Sequence, residues 1–314
     1  MNHWGRPVAF LALILYFVLA LGCSDPDAKA RAKPITELPK TLRLAFEPGE
    51  DFEPLPKPGP FDWLAWHPEK GQTFEQFVRS WPRLPNSRRH TIYLQPLGEF
   101  PEYGGIRLTD LQQFAAAFFG MNVKVQPIVW LETTASRSRI NTATEKRQFL
   151  TGDLLRYLRR ELPDDAYARL GITLEDLYPG PKWNFVFGEA SLRFRVGVYS
   201  FARFDADFFG APRPEDWRRL LLLRSCKVLA HETSHMFGIQ HCTFRRCLMN
   251  GSNSDIELDD QPLHLCPVDL RKLYYSIGFD VIEHYRGLLK FSKAHGFDDE
   301  ARWLEMRIQH VTAP

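Results

Sequence analysis

An unbroken apolar run over residues 8–21 (VAFLALILYFVLAL) follows His3 and Arg6 at the start of the chain. As a helix this run spans about 21 Å, short of the roughly 30 Å of a bilayer core, so it reads as an export signal and not as a permanent anchor. Periodicity then lapses between residues 24 and 60, where eight prolines and many charges break every apolar repeat. That stretch predicts a semi-rigid extended tether, although Leu42, Leu44 and Phe46 alternate as they would in an arm packed on a domain. From Phe61 onward the pattern is that of a folded domain. Residues 90–97 (HTIYLQPL) predict a strand, and residues 108–119 a helix opened by a capping box of Thr109 and Gln112 and stopped at Gly120. Residues 123–131 (VKVQPIVWL) predict a second strand, with Pro127 pointing to an edge or a bulge. A helix is expected over 144–162, strands over 183–187 (WNFVF) and 196–201 (VGVYSF), a long helix over 217–238 and a helical end over 281–309. Strands alternating with helices indicate an α/β layered domain, giving a signal at 1–22, a tether at 23–60 and a domain at 61–314.

Composition changes this picture little but excludes several functions. With 44% hydrophobic and 25% charged residues the chain can bury a core. Its formal charge of +2 provides no general attraction to nucleic acid. The Arg-rich residues 79–90 (RSWPRLPNSRRH) are read as a solvated loop, not a nucleic-acid patch. The acidic run 255–260 (DIELDD) lacks a calcium-loop pattern and is expected to be a loop. Leu19-Ala20-Leu21-Gly22-Cys23 resembles the lipobox of bacterial lipoproteins, which implies lipid on Cys23 and a membrane-anchored place in the bacterial cell envelope, with Ser24 permitting transfer to the outer membrane. The same residues also fit an ordinary cut that releases a periplasmic protein, but that cut leaves an odd thiol at an exposed end.

The chemistry lies in the long helix. His231-Glu232-Thr233-Ser234-His235 places two imidazoles on one helical face about 6 Å apart, so both can hold one zinc ion while Glu232 sits beside it as general base. Gly238 and His241 complete H-E-x-x-H-x-x-G-x-x-H. In a continuing helix His241 would stand about 9 Å beyond His235, so the helix must stop, and Gly238 is the residue that can turn the chain in a left-handed conformation. The five fixed residues would arise by chance on the order of 10⁻⁵ times in a chain of this composition. Three neutral His ligands leave one tetrahedral position open, the geometry of a catalytic zinc. The expected reaction is hydrolysis of a peptide bond, with the metal activating water and Glu232 moving the proton.

The segment from His231 to Leu273 (HETSHMFGIQHCTFRRCLMNGSNSDIELDDQPLHLCPVDLRKL) resembles the archaemetzincins, a metzincin-like group of zinc metallopeptidases, and residues 177–204 and 90–98 resemble other parts of that family. The resemblance implies a twisted mixed sheet packed by helices, an active-site helix, and Met249 as the Met-turn residue below the site. It also implies a second, structural zinc held by four cysteines. Here Cys242, Cys247 and Cys266 occupy three of those positions and Asp269 the fourth, which makes a Cys3Asp zinc site feasible. The alternative for an exported chain is a disulfide plus a free thiol. Cys226 reads as a small buried hydrophobe. The strand near 196–201 is expected to border the cleft and pair with an extended peptide; no residue is assigned to an oxyanion, since Tyr274 and Tyr275 are only nearby in sequence and read at least as well as core residues. The resulting function is a zinc-dependent peptidase acting on peptides or proteins; the alternative is a zinc-containing lipoprotein that binds a peptide or protein partner without cutting it.

Overall fold

The computed structural model describes residues 26–101, 104–135 and 137–313, so the signal and Cys23 lie outside the described residues. The arm comes first: α1 (Pro26–Arg31), a 3-10 turn at Ile35–Glu37 and α2 (Lys40–Phe46), then α3 (Trp63–Trp66) and α4 (Phe74–Arg79). This is not the extended tether that the prolines suggest. Phe46 and Phe52 are buried, Phe46 against Tyr274 and Phe52 edge-on to Trp303. The fully buried Arg307 ties the arm down, its Nη2 donating to Leu44 O at 2.7 Å and to Ala45 O at 3.0 Å while Nη1 meets Asp51 Oδ2 at 3.2 Å. The prolines set where the arm bends, and its few apolar residues decide where it lies.

The domain follows as β1 (Thr91–Pro96), α5 (Leu108–Phe119), β2 (Asn122–Val125), α6 (Leu131–Thr134), β3 (Ser138–Ile140), β4 (Arg147–Leu150), α7 (Thr151–Arg160), β5 (Ala166–Thr173), β6 (Asp176–Tyr178), β7 (Gly188–Ser191) and β8 (Val196–Ser200). After these come α8 (Trp217–Met236), α9 (Asp255–Asp260), α10 (Pro267–Ile277), α11 (Val281–Ala294) and α12 (Asp298–Thr312). The main sheet has the order β2-β1-β5-β8-β7, parallel except for the antiparallel edge strand β7. β5 is buried along its whole length, as a central parallel strand covered on both faces must be. A second sheet, β3-β4-β6, stands beside it. On β8 the side chains alternate: Val196 and Val198 join the core under α7, while Tyr199 joins the larger core that contains Leu229 and Met236 of α8.

Several local expectations are revised. The helix expected over 144–162 is β4 followed by α7, because Arg147 to Leu150 pair with β3 on one side and β6 on the other. The helix at 108–119 has the expected bounds and Gly120 closes it in the left-handed region (φ +59), yet the capping box does not form. Thr109 lies inside the first turn, and Gln112 donates instead to Val123 O at 2.8 Å. Residues 183–187 form no strand; the neighbouring strand is β7. The acidic run is the short helix α9, capped by Ser254. Residues 281–309 split at Gly296 (φ +68) into the hairpin α11–α12. Among the described residues no helix is long and apolar enough to cross a membrane.

Because Phe46 belongs to the core, Phe46→Ala is expected to destabilise the protein by about 3 kcal/mol in urea unfolding. A tether detached from the domain would show no change.

Candidate active site

α8 carries His231, Glu232 and His235 in its second half and ends at Met236. Gly238 has φ +87, and a Cβ placed there would meet no atom closer than 3.8 Å, so the left-handed backbone and not crowding selects glycine. The turn brings His241 back, its ring centroid 5.2 Å from that of His231 and 5.1 Å from that of His235. The sequence places all three histidines in one cluster, and the fold does so.

Each imidazole is held from behind. His231 Nδ1 lies 2.8 Å from Leu248 O, His235 Nδ1 lies 2.6 Å from Ile239 O, and His241 Nδ1 lies 3.0 Å from both oxygens of Glu69. A neutral ring that donates from Nδ1 presents a lone pair at Nε2. The Nε2 atoms of His231 and His235 are 3.1 Å apart, so two lone pairs face one another, a repulsive arrangement that a cation between them relieves. Burial holds the pKa of His231 well below the usual histidine range, and burial also lowers that of His241, so a proton is a poor occupant. Nitrogens bound to a tetrahedral zinc lie about 3.4 Å apart, and the ligand atoms of the three histidines all fall within 4.8 Å of one another. The residues fit zinc. Glu232, half-buried beside them, has its pKa raised by loss of water.

The cleft in front of the cluster measures about 490 Å³ and is lined by Glu69, Lys70, Leu192, His235, Gly238 and His241 among others. Glu69 comes from the arm. Trp63 Nε1 donates to its Oε1 at 2.8 Å, and the Trp63 ring packs at a tilt against His67 and covers Gly251, where any side chain would collide with the indole. The motif contains no hint of Glu69, which lies far from His241 along the chain.

The model of Peptidase family M54 matches residues 122–274. Archaemetzincin-2 of Homo sapiens is 37% identical over 293 residues, covering 83% of this chain and 79% of the relative, and archaemetzincin-2 of Mus musculus is 38% identical over the same shares. The chain belongs to the archaemetzincin family. It is therefore a zinc metallopeptidase by family, with the metzincin-like mixed sheet, helices and active-site helix described above. The solved archaemetzincin of Methanopyrus kandleri is 30% identical, covers 63% of this chain and 100% of its own, and superposes with a TM-score of 0.46.

Beside the histidine cluster lies a second group of potential metal ligands. Cys242, Cys247, Cys266 and Asp269 are buried together, with ligand atoms within 4.8 Å of one another. Cys242 Sγ is 3.7 Å from Cys266 Sγ, and Asp269 Oδ2 lies 3.3 Å from Cys247 Sγ and 3.4 Å from Cys266 Sγ. Sulfurs 2.3 Å from a tetrahedral zinc are about 3.8 Å apart, so this donor set also fits the ion. The thiols are free, not paired in a disulfide. The backbone amides of Cys266 and Met249 point at Cys247 Sγ, from 3.1 and 3.4 Å, donors that a metal-bound sulfur there would accept, whereas without an ion burial and the neighbouring sulfurs push the Cys247 thiol up. Burial and the Cys242 sulfur push Asp269 up to about 7, while the fully buried Lys272 holds its other oxygen at 2.7 Å.

Met249 is fully buried in the loop behind the histidines, its carbonyl accepting from Cys242 N at 2.7 Å. Cys226 is a buried thiol of the core. Tyr274 and Tyr275 are not at the cleft: one packs on Phe46, the other on Phe74 and Phe77. The tyrosine that sequence reasoning missed is Tyr199, whose buried hydroxyl has no hydrogen-bond partner among the described residues and whose pKa is pushed up by burial and then by the charge of Glu232. Gly188 and Gly197 make room for it, since a side chain at either would overlap the ring. That pair of glycines around a tyrosine was the available signal. β8 is paired on both sides, so among the described residues the free backbone edge beside the cleft belongs to β7, not to 196–201 as the sequence suggested.

Glu69→Ala is expected to weaken zinc binding about 10- to 100-fold, read by competition with a chromogenic chelator, with Glu69→Gln recovering part of the loss. Unfolding in chelator should expose Cys226, Cys242, Cys247 and Cys266 as four reactive thiols; a blocked pair would contradict a metal site.

Proposed function

We propose that the protein hydrolyses peptide bonds at the cleft of His231, His235 and His241, with Glu232 as general base. The observation that carries this reading is the convergence of three Nε2 lone pairs beside a half-buried carboxylate. Bound zinc supplies Lewis acidity, polarising a carbonyl and bringing the pKa of a water toward ~7. Glu232, its basicity raised by desolvation, accepts a proton from the attacking water and passes it to the departing amine. Tyr199, buried near enough to Glu232 for the carboxylate's charge to act on its hydroxyl, is a candidate to support this role. The free edge of β7 suits an extended substrate, which can add to the sheet by main-chain hydrogen bonds.

The proposal extends to a second, structural zinc on Cys242, Cys247, Cys266 and Asp269, and to a lipid on Cys23 that anchors the domain in the bacterial cell envelope. The lipid rests on the sequence from Leu19 to Ser24 alone.

Glu232→Gln is expected to keep zinc and to lower peptide cleavage by about 10³-fold or more. Digestion of a diverse peptide library by the zinc-loaded protein and by this variant, read by mass spectrometry, checks it. Equal cutting by both refutes the mechanism, and no cutting by either favours a lipoprotein that only binds peptides.

A further inference from the structure

The loop over residues 80–90 looks like an ordinary solvated surface in the sequence, but the fold carries it to the rim of the cleft. Tyr167 Oη, buried beneath, lies 2.9 Å from Arg83 O and 3.1 Å from Met236 O, so the backbone at Arg83 is fixed beside the last residue of α8. Pro82 lies next to Gly238, the residue at which the chain turns toward His241. From there Arg83 Nη1 reaches across to Arg193 O at 3.0 Å, in the turn that joins β7 to β8. Leu192, the neighbour of Arg193, is itself part of the cleft wall.

Cations accumulate on this rim without anions to match them. Arg83, Arg89 and Arg193 are exposed and Arg195 is half-buried. Arg195 spends one nitrogen on the carbonyls of Ala166 and Tyr167, and burial together with the charges of Arg89 and Arg83 pulls its pKa down. Arg159 stacks 3.6 Å above the Phe194 ring and Arg193 lies 5.4 Å from it, adding a fifth guanidinium to the turn. Among the described residues none of these five arginines has a carboxylate within ion-pair distance, whereas Arg137, Arg203, Arg213 and Arg224 elsewhere in the chain all do. Like charges held together on a nearly neutral protein raise its energy unless an anion joins them. Two residues of these facing loops, Trp81 (φ +55) and Arg195 (φ +58), also hold a left-handed backbone that non-glycine residues avoid, and Trp81 is 85% exposed.

We propose that Arg83, Arg89, Arg193 and Arg195 form an anion-recognising rim of the cleft that selects substrates carrying an acidic segment beside the bond to be cut. The inference rests on the peptidase reading for its ligand and goes beyond it in naming the substrate class. A peptide lying along the edge of β7 runs on past Leu192 to Arg193, so its flanking Asp or Glu side chains meet the guanidinium groups while its scissile bond stays at the histidines. Continuity with the cleft favours a peptide over an anionic lipid surface as the occupant.

The test is binding of fluorescein-labelled peptides, identical except for several Glu or several Lys, to the zinc-loaded Glu232→Gln protein, followed by anisotropy. The acidic peptide is expected to bind about tenfold more tightly at low salt, and Arg83→Glu with Arg193→Glu to abolish or invert that preference. Arg83→Gln with Arg193→Gln, which removes two of the rim's charges without reversing them, should give an intermediate result at unchanged zinc content. Equal binding of both peptides, or a preference that survives the charge reversal, overturns the proposal. Binding to phosphatidylglycerol vesicles that is lost on charge reversal, with no peptide preference, overturns it in favour of a lipid surface. Because the readout is binding, an absence of hydrolysis by the wild-type protein would count against the peptidase reading and leave the acidic preference of the rim standing or falling on its own data.

Discussion

Three imidazole lone pairs aimed at one point are the constraint around which the rest of the molecule is arranged. Neutral rings in that disposition repel each other, so none would stay there unless its other nitrogen were fixed. The fixing groups are Leu248 O, Ile239 O and the carboxylate of Glu69. The first two are backbone carbonyls, which hold a ring in place without adding charge. The third is an anion, which makes His241 the most electron-rich of the three and places a negative charge within reach of the ion.

Those groups come from three different parts of the chain, and this explains why so much of the protein lies behind a short motif. Ile239 is placed by the turn at Gly238. Leu248 sits in the loop that returns from His241, pinned by Leu248 N to His264 O at 2.9 Å and by the sulfur cluster on either side. A structural ion there would therefore stiffen the carbonyl that orients His231. Glu69 arrives with the arm, and the arm is held by Arg307 and by Phe46 and Phe52 in the core. The buried arm is part of the machinery that orients the third histidine.

What was legible in the sequence followed helix geometry. His231, Glu232 and His235 share a face at a spacing set by the helical pitch, and the need to stop the helix assigns Gly238 its conformation from spacing alone. The cysteine and aspartate cluster was legible through spacing together with the family resemblance. Glu69 was not, because its contact with His241 joins residues 172 apart in sequence and exists only once the arm has docked. Tyr199 was not legible because it reaches the neighbourhood of Glu232 from β8 of the sheet, not from the segment that follows the motif. Residues 147–150 were misread because Arg-Gln-Phe-Leu carries no strong local preference, and pairing with β3 and β6 decides its conformation. The prolines dominate the arm's composition, whereas its few buried apolar residues, Phe46 and Phe52 among them, set where it lies.

Asp269, where the resemblance implies a fourth cysteine, can be understood from local electrostatics. Cys266 is the N-cap of α10, and Asp269 falls in its first turn behind Pro267. A helix N-terminus favours anions and lowers the cost of a thiolate, and Asp is as well placed there as Cys. Three thiolates and a carboxylate around a divalent ion still leave a net charge of about −2 in a buried place. Lys272, one turn farther along α10 and also fully buried, supplies a counter-charge on Asp269 Oδ1 and leaves Oδ2 facing the sulfurs. A cysteine at 269 would have only one sulfur, which could not serve the cluster and hydrogen-bond to Lys272 through separate atoms. The carboxylate has two oxygens and does both, so the substitution and the buried lysine are best understood as a single feature.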